Sequence, residues 1–143
     1  MFSKTCQYAI RAVIFISKKS SEGERVGIKQ IAKGIDSPEH FIAKILQDLS
    51  KKGLVSSFKG PNGGFFIEED SDCTIADIVK AIDGDKVFSG CGLGLDYCSE
   101  NKPCPIHNEF KAVRDELSRI LHQAKVGMFN ENLLKSLTYI KQR

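Results

Sequence analysis

Four residues carry the most evident chemistry in the chain. The segment CGLGLDYCSENKPCPIH, residues 91–107, holds Cys91, Cys98 and Cys104, with His107 three positions after the last cysteine. Three thiolates and one imidazole suit an iron–sulfur cluster or a tetrahedral zinc ion. Spacers of six and five residues make a flexible cage, and Pro103 and Pro105 stiffen the approach to Cys104. Compact zinc sites usually pair their cysteines as Cys-x2-Cys, and this segment has no such pair. Redox-active thiols without any metal are the third possibility. If a cluster is held, one histidine ligand should raise its potential, by analogy with Rieske centres. Cys6 and Cys73 stand apart and read as packing residues, and His122 as an exposed helical residue without a chemical role.

A second constellation is suited to DNA. Residues 1–67 carry eleven Lys/Arg against five Asp/Glu, whereas residues 68–143 carry ten against thirteen. A basic first half on a mildly acidic second half points to a polyanion partner for the first half alone, although a solvated lysine-rich surface gives the same count. Within the basic half, Ser37, Pro38, Glu39 and His40, with Lys44 one turn later, would open a helix that could meet base edges. Glu39 could accept from a cytosine amino group, and Lys44 could reach a base or a phosphate. Ser56, Ser57, Lys59 and Asn62 could contact phosphates or enter a minor groove, around a turn shaped by Gly60 and Pro61. No Ser/His/Asp constellation, phosphate loop or paired-carboxylate motif supports an enzyme.

The elements that must position these residues follow from apolar periodicity. Residues 4–19 form a mostly buried helix, with Tyr8, Ala9, Ala12, Val13, Phe15 and Ile16 apolar. Ile28–Lys33 is a short helix that Gly34 ends as a left-handed cap. Ser37 is expected to cap the next helix, with Pro38 at its first position. Phe41, Ile42, Ile45, Leu46 and Leu49 make that helix's stripe, and Gly53 closes it. Residues 54–58 and 65–69 read as strands joined by the turn KGPNGG. Helix, turn, helix and β-hairpin in this order is the winged helix-turn-helix arrangement. Thr74 and Asp77 have capping-box spacing before a helix that Gly84 stops. Residues 85–105 show no periodicity, and a loop of this length needs a ligand or a partner to order it. From Ile106 the apolar positions 106, 110, 113, 117, 120 or 121 and 124 step by four and three, as in a coiled-coil seam. Such a helix most simply pairs with its own copy. Gly127 breaks the pattern, and Asn130 is placed to cap a last helix carrying Leu133, Leu134, Leu137 and Ile140.

The hydrophobic content of 41% supports a core, and no apolar run is long enough to span a membrane. The short apolar stretch Tyr8–Ile16 lacks the features of a signal peptide. A cytoplasmic location is expected. In a reducing cytosol, clustered cysteines are metal ligands or redox groups rather than structural disulfides.

Together YAIRAVIFIS, QIAKGIDSPEHFIAKILQDLSKKGLVSSFKGPNGGFFI, TIADIVKAIDG and C-x6-C-x5-C-x2-H resemble the Rrf-two family of bacterial transcription regulators, of the IscR, NsrR and CymR types. The resemblance covers about residues 1–121, and its most specific piece is the wing, GLVSSFKGPNGGFFI. It implies a mainly α fold with a small β-hairpin wing, and homodimerisation through the long helix, here about 106–126. It also implies an iron–sulfur cluster on Cys91, Cys98 and Cys104, with His107 at the place of the IscR-type fourth ligand. NsrR-type proteins use an acidic residue near the N-terminus, and KTCQYAI has none. CymR-type members lack the cysteine set. In the recognition helix Ile42 and Ala43 stand where an acidic residue is often found, so DNA specificity does not carry over.

The expected organisation is a DNA-binding winged helix-turn-helix over 1–84, a cysteine-rich cluster loop over 85–105, and a dimerisation helix with a C-terminal helix over 106–143. The expected function is a homodimeric regulator of two-fold symmetric DNA sites that senses iron–sulfur, nitric oxide or redox state. The cluster expected first is 2Fe–2S, then 4Fe–4S, with zinc as the minor alternative. The competing reading is a cofactor-free regulator whose cysteines are redox thiols or structural.

Overall fold

A computed structural model describes residues 1–129. The expected Asn130-capped helix lies outside the described residues. The elements run α1 (Lys4–Ser21), α2 (Ile28–Ile35), α3 (Glu39–Lys51), β1 (Ser56–Phe58), β2 (Gly64–Phe66), α4 (Ile75–Asp83), the short α5 (Lys86–Ser89), α6 (His107–Gln123) and a 3-10 turn, Val126–Phe129. Among the described residues the fold is mainly helical with one two-stranded antiparallel hairpin, as expected.

The helices form where apolar residues repeat on one face, and those faces make one core. Val13 and Ile16 of α1, Ile31 and Ile35 of α2, Ile42, Ile45, Leu46 and Leu49 of α3, and Ile78 and Val79 of α4 are almost fully buried together. The N-terminus of α1 is fixed by Ser3. Its hydroxyl accepts from the Cys6 N–H at 3.0 Å, and its backbone N–H donates to Asp83 at the end of α4 at 2.8 Å. Thr74 and Asp77 form the expected reciprocal cap on α4. The Asp77 N–H reaches the Thr74 hydroxyl at 3.2 Å, and the Thr74 N–H reaches the Asp77 carboxylate at 2.9 Å. Cys6 and Cys73 pack in the core, as read from sequence.

Several boundaries differ from expectation. Gly34 is not the cap of α2, because the helix continues to Ile35 and Asp36 takes the left-handed conformation, φ 55°. Gly34 instead lets α1 come close, since a Cβ there would lie 2.2 Å from the Phe15 ring. Ser37 does not cap α3. Its N–H closes α2 by donating to the Ala32 carbonyl at 2.9 Å, and Pro38 occupies the N-cap in extended conformation. Gly53 does close α3, at φ 75°, while the Leu54 N–H returns to the Leu49 carbonyl. That return holds residue 54 out of the ladder. On the second strand, the Ile67 N–H leaves for the Ser20 hydroxyl at 2.9 Å, so the strand stops at Phe66. Val26 pairs with Phe65 through two backbone bonds, 3.1 and 2.7 Å, adding a third position to the hairpin that periodicity does not signal.

The long helix starts at His107, with Ile106 as its N-cap. Its apolar stripe divides. Leu117, Leu121 and Ala124 pack against the core, whereas Ile106, Val113 and Ile120 are exposed at seven-residue steps. After α6 the chain returns to α4: the Ile75 N–H donates to the Ala124 carbonyl and the Val126 N–H to the Cys73 carbonyl, both at 2.9 Å. No described helix is long and apolar enough to cross a membrane.

Candidate functional site

Packing of α3 decides which of its residues face outward. Burial of Ile42, Ile45, Leu46 and Leu49 turns Pro38, Glu39, His40 and Lys44 to the exposed side. Ser37 is placed differently, with its hydroxyl buried and without a hydrogen-bond partner among the described residues. Beside this helix start lies a cation–aromatic group the sequence reading missed. The Phe41 ring lies 4.5 Å from the His40 ring and 6.1 Å from the Tyr8 ring. Arg11 and Lys4 stand 4.7 and 5.4 Å from the Tyr8 ring centroid. The signal available was the helical spacing of Lys4, Tyr8 and Arg11; their meeting with Phe41 depends on the packing of α1 on α3.

The wing is built by two close approaches. The Gly63 N–H bonds back to the Gly60 carbonyl at 2.9 Å, and a Cβ on Gly63 would meet the Phe58 carbonyl oxygen at 2.3 Å. Gly64 has φ 147°, and a Cβ there would lie about 3 Å from the Val26 backbone. Both glycines are therefore needed to fold the turn. Ser57, Lys59, Gly60, Pro61 and Asn62 are exposed on it, and Ser56 is half-buried.

The cysteine segment is held by one face of α6. His107 is buried, and its Nδ1 lies 3.2 Å from the Cys98 Sγ. Its backbone N–H donates to the Cys104 carbonyl at 3.0 Å. The Phe110 ring covers Gly92, Lys111 pairs with Glu100 at 3.9 Å, and Arg114 donates to the Ser89 and Gly90 carbonyls at 3.3 and 2.9 Å. Residues 107, 110, 111 and 114 are helical neighbours, so α6 clasps both ends of the loop. The sequence reading missed Arg114, and a lone basic residue in a helix gives little to find it by.

The three thiols of the loop are half-buried, and all five cysteines are free. Backbone N–H groups, that of Leu93 foremost, pull the Cys91 thiol below its ordinary value, and a hydrogen bond with the Cys104 side chain adds to this. In the core the reverse holds. Burial, with Asp83 nearby, pushes the Cys6 thiol up to about 12, and burial with Asp77 pushes Cys73 up to about 11. The four donors are thus brought together as two pairs, Cys98 with His107 and Cys91 with Cys104. Among the described residues no group of three converges as a single-ion site. Three thiols and one imidazole are donors that could hold an iron–sulfur cluster or a zinc ion. His122, read as exposed and without a role, has its Nε2 3.0 Å from the Lys80 Nζ and so ties α6 to α4.

The family model described as "Rrf2: Iron-dependent Transcriptional regulator" matches residues 2–132. The chain belongs to the Rrf2 family. It is similar to a putative HTH-type transcriptional regulator of Aquifex aeolicus, 32% identical over all of this chain and 94% of that protein. It is also similar to the HTH-type transcriptional regulator IscR of Escherichia coli O1:K1, 25% identical over 88% of this chain and 77% of IscR. Among solved structures, CymR, the global cysteine regulator of B. subtilis, has the same fold, with a TM-score of 0.74, 21% identity, and coverage of 92% of this chain and 97% of CymR. The protein is therefore a winged-helix transcriptional regulator of the Rrf2 family and not an enzyme.

Proposed function

We propose that this Rrf2-family regulator binds two-fold symmetric DNA as a homodimer and responds to the state of an iron–sulfur cluster, 2Fe–2S before 4Fe–4S, held by Cys91, Cys98, Cys104 and His107. The observation that carries the reading is the double use of α6. One face of the helix clasps the cysteine loop through His107, Lys111 and Arg114. The exposed Ile106, Val113 and Ile120 form a second, apolar face at the spacing of a dimer seam. What the loop binds is thereby mechanically joined to how two copies pair.

In this reading residues 1–84 contact DNA, 85–105 hold the cluster, and 106–143 form the dimer arm. Pro38, Glu39, His40 and Lys44 face the major groove, and Ser37 precedes them in the turn with its hydroxyl buried. Ser56, Ser57, Lys59, Gly60, Pro61 and Asn62 follow the backbone or minor groove. When bound, a cluster supplies a centre that oxidants, nitric oxide or iron shortage can alter. Cys98 and His107 then fix the loop to the first turn of α6, and Arg114 fixes its other end. A small rotation of α6 against its partner changes the separation of the two α3 helices, which must match half-sites about 34–36 Å apart or a multiple of that. The family model's iron-dependence and the likeness to IscR support the iron centre. The lowered Cys91 thiol, pulled down chiefly by the Leu93 N–H, supports a second reading, in which metal-free thiols sense oxidants. The cytoplasm suits either.

Anaerobic purification with a visible spectrum and iron, sulfide and zinc analysis tests this. Visible charge-transfer bands with matching iron and sulfide, lost in Cys98→Ala and altered in His107→Ala, are expected. Colourless zinc protein would make the loop structural. Colourless, metal-free protein after cluster reconstitution would favour the thiols.

A further inference from the structure

The wing carries a cation placed by stacking. Pairing of Ser56 with Phe66, and of Phe58 with Gly64, puts Phe58 and Phe66 on one face of the hairpin, with their rings 5.8 Å apart. Val26 bonds to Phe65 along the other edge of β2 and buries its side chain in the core. Side chains alternate along an extended strand, so Arg25 must emerge on the opposite face, the one bearing Phe58 and Phe66. Its guanidinium lies 4.0 Å from the Phe58 ring centroid and 5.2 Å from that of Phe66. Phe58 remains 54% exposed, so this stack sits at the surface rather than in the core.

Two further observations give the stack a direction. Arg25 lines an open cleft of about 660 Å³ together with Gln30 of α2 and with Pro61 and Asn62 at the wing tip. Glu24, at the same cleft, is engaged by Lys19 at 3.6 Å, and Arg25 takes part in none of the ion pairs among the described residues. A planar guanidinium stacked on aromatic rings keeps its N–H fork available for an anion, and its side chain is ordered before the anion arrives.

We propose that Arg25 is a DNA-backbone contact on the flank of the wing, with Phe58 and Phe66 holding its guanidinium in position for a phosphate. This rests on the DNA-binding reading of the wing and adds the loop between α1 and α2 to that interface. A phosphate beside the groove entered by Pro61 and Asn62 would face the same cleft that Arg25 lines.

The test uses full-length protein and two duplexes, one recovered by the wild-type protein from a random-sequence pool and one unrelated. Binding is measured against salt concentration, and folding of each variant is checked by thermal unfolding. Arg25→Ala should weaken binding by a similar factor on both duplexes and reduce the salt slope by about 0.9 for each bound chain. Arg25→Lys should keep the wild-type slope. Phe58→Ala should weaken binding with the slope unchanged, because the charge stays and only its placement is lost. Wild-type binding with an unchanged slope in Arg25→Ala would reduce Arg25 to a clamp on the wing and overturn the inference while leaving the DNA-binding reading intact. A loss confined to the selected duplex would make Arg25 a base reader and also overturn the backbone assignment. Failure of the wild-type protein to bind either duplex would remove the reading on which the inference rests.

Discussion

The winged-helix body and the cysteine loop are stabilised in opposite ways. In the body, four helices bury their apolar faces in one core, and Cys6 and Cys73 sit within it as inert, protonated thiols. In the loop, residues 90–104 have little core of their own: Leu93, Leu95 and Tyr97 are exposed, and the segment is fastened by side chains of α6. One chain therefore carries two kinds of cysteine. Those placed by helices are shielded, and those placed by a loop stay half-open to ligands and reagents. A scaffold that does not depend on the loop leaves the loop able to change state.

Substitutions separate the two regions, and the largest effect belongs to the core. Leu49→Ala empties a fully buried site and should lower stability by about 2–5 kcal/mol in urea unfolding. Cys98→Ala in the metal-free protein removes only the partner of the buried His107 Nδ1 and should cost about 1 kcal/mol. A large loss for Cys98→Ala without metal would show the loop to be part of the core and break the contrast. Gly34→Ala forces a methyl group into the Phe15 ring and should cost about 1–3 kcal/mol by the same measurement. Thr74→Ala removes the α4 capping box and should cost about 1 kcal/mol.

Alkaline unfolding sharpens the contrast further. In the unfolded chain a thiol ionises near 9, whereas the folded protein holds Cys73 to about 11 and Cys6 to about 12. Stability from these neutral thiols is fully present below pH 9 and is lost as pH rises through those folded values. Cys6→Ala should flatten that decline; an unchanged decline would assign it to other groups. At neutral pH, the metal-free native protein should be alkylated at Cys91 well before Cys6 or Cys73, as read by peptide mass mapping.

The same contrast explains what was legible in the sequence. Apolar residues at helical spacing placed α1, α3 and α4, because a buried stripe is a local pattern. The Thr74–Asp77 box and the Gly53 and Gly84 stops were equally local. Gly34 misled because its reason is the ring of Phe15 nineteen residues away, which no neighbouring residue announces. Ser37 misled because the turn that closes α2 on the Ala32 carbonyl leaves Pro38, in extended conformation, at the N-cap of α3. The four donors could be listed from spacing, but their grouping as Cys98 with His107 and Cys91 with Cys104 depends on how α6 holds an aperiodic loop. The stripe of α6 was visible, while its division into a core side and an exposed side required knowing that residues 124–126 fold back onto residues 73–75. Arg25 met Phe58 only through the pairing of Val26 with Phe65, which carries no sequence signal.

The most direct test of the central claim compares the affinity of cluster-loaded and cluster-free protein for a duplex selected by the loaded form, with Cys98→Ala alongside. The account predicts that loaded and cluster-free protein differ by about 5–150-fold, the range of ordinary allosteric coupling, with Cys98→Ala matching the cluster-free form. Equal affinities for all three would contradict it, leaving a winged-helix DNA-binding protein whose cysteine loop does not govern DNA binding.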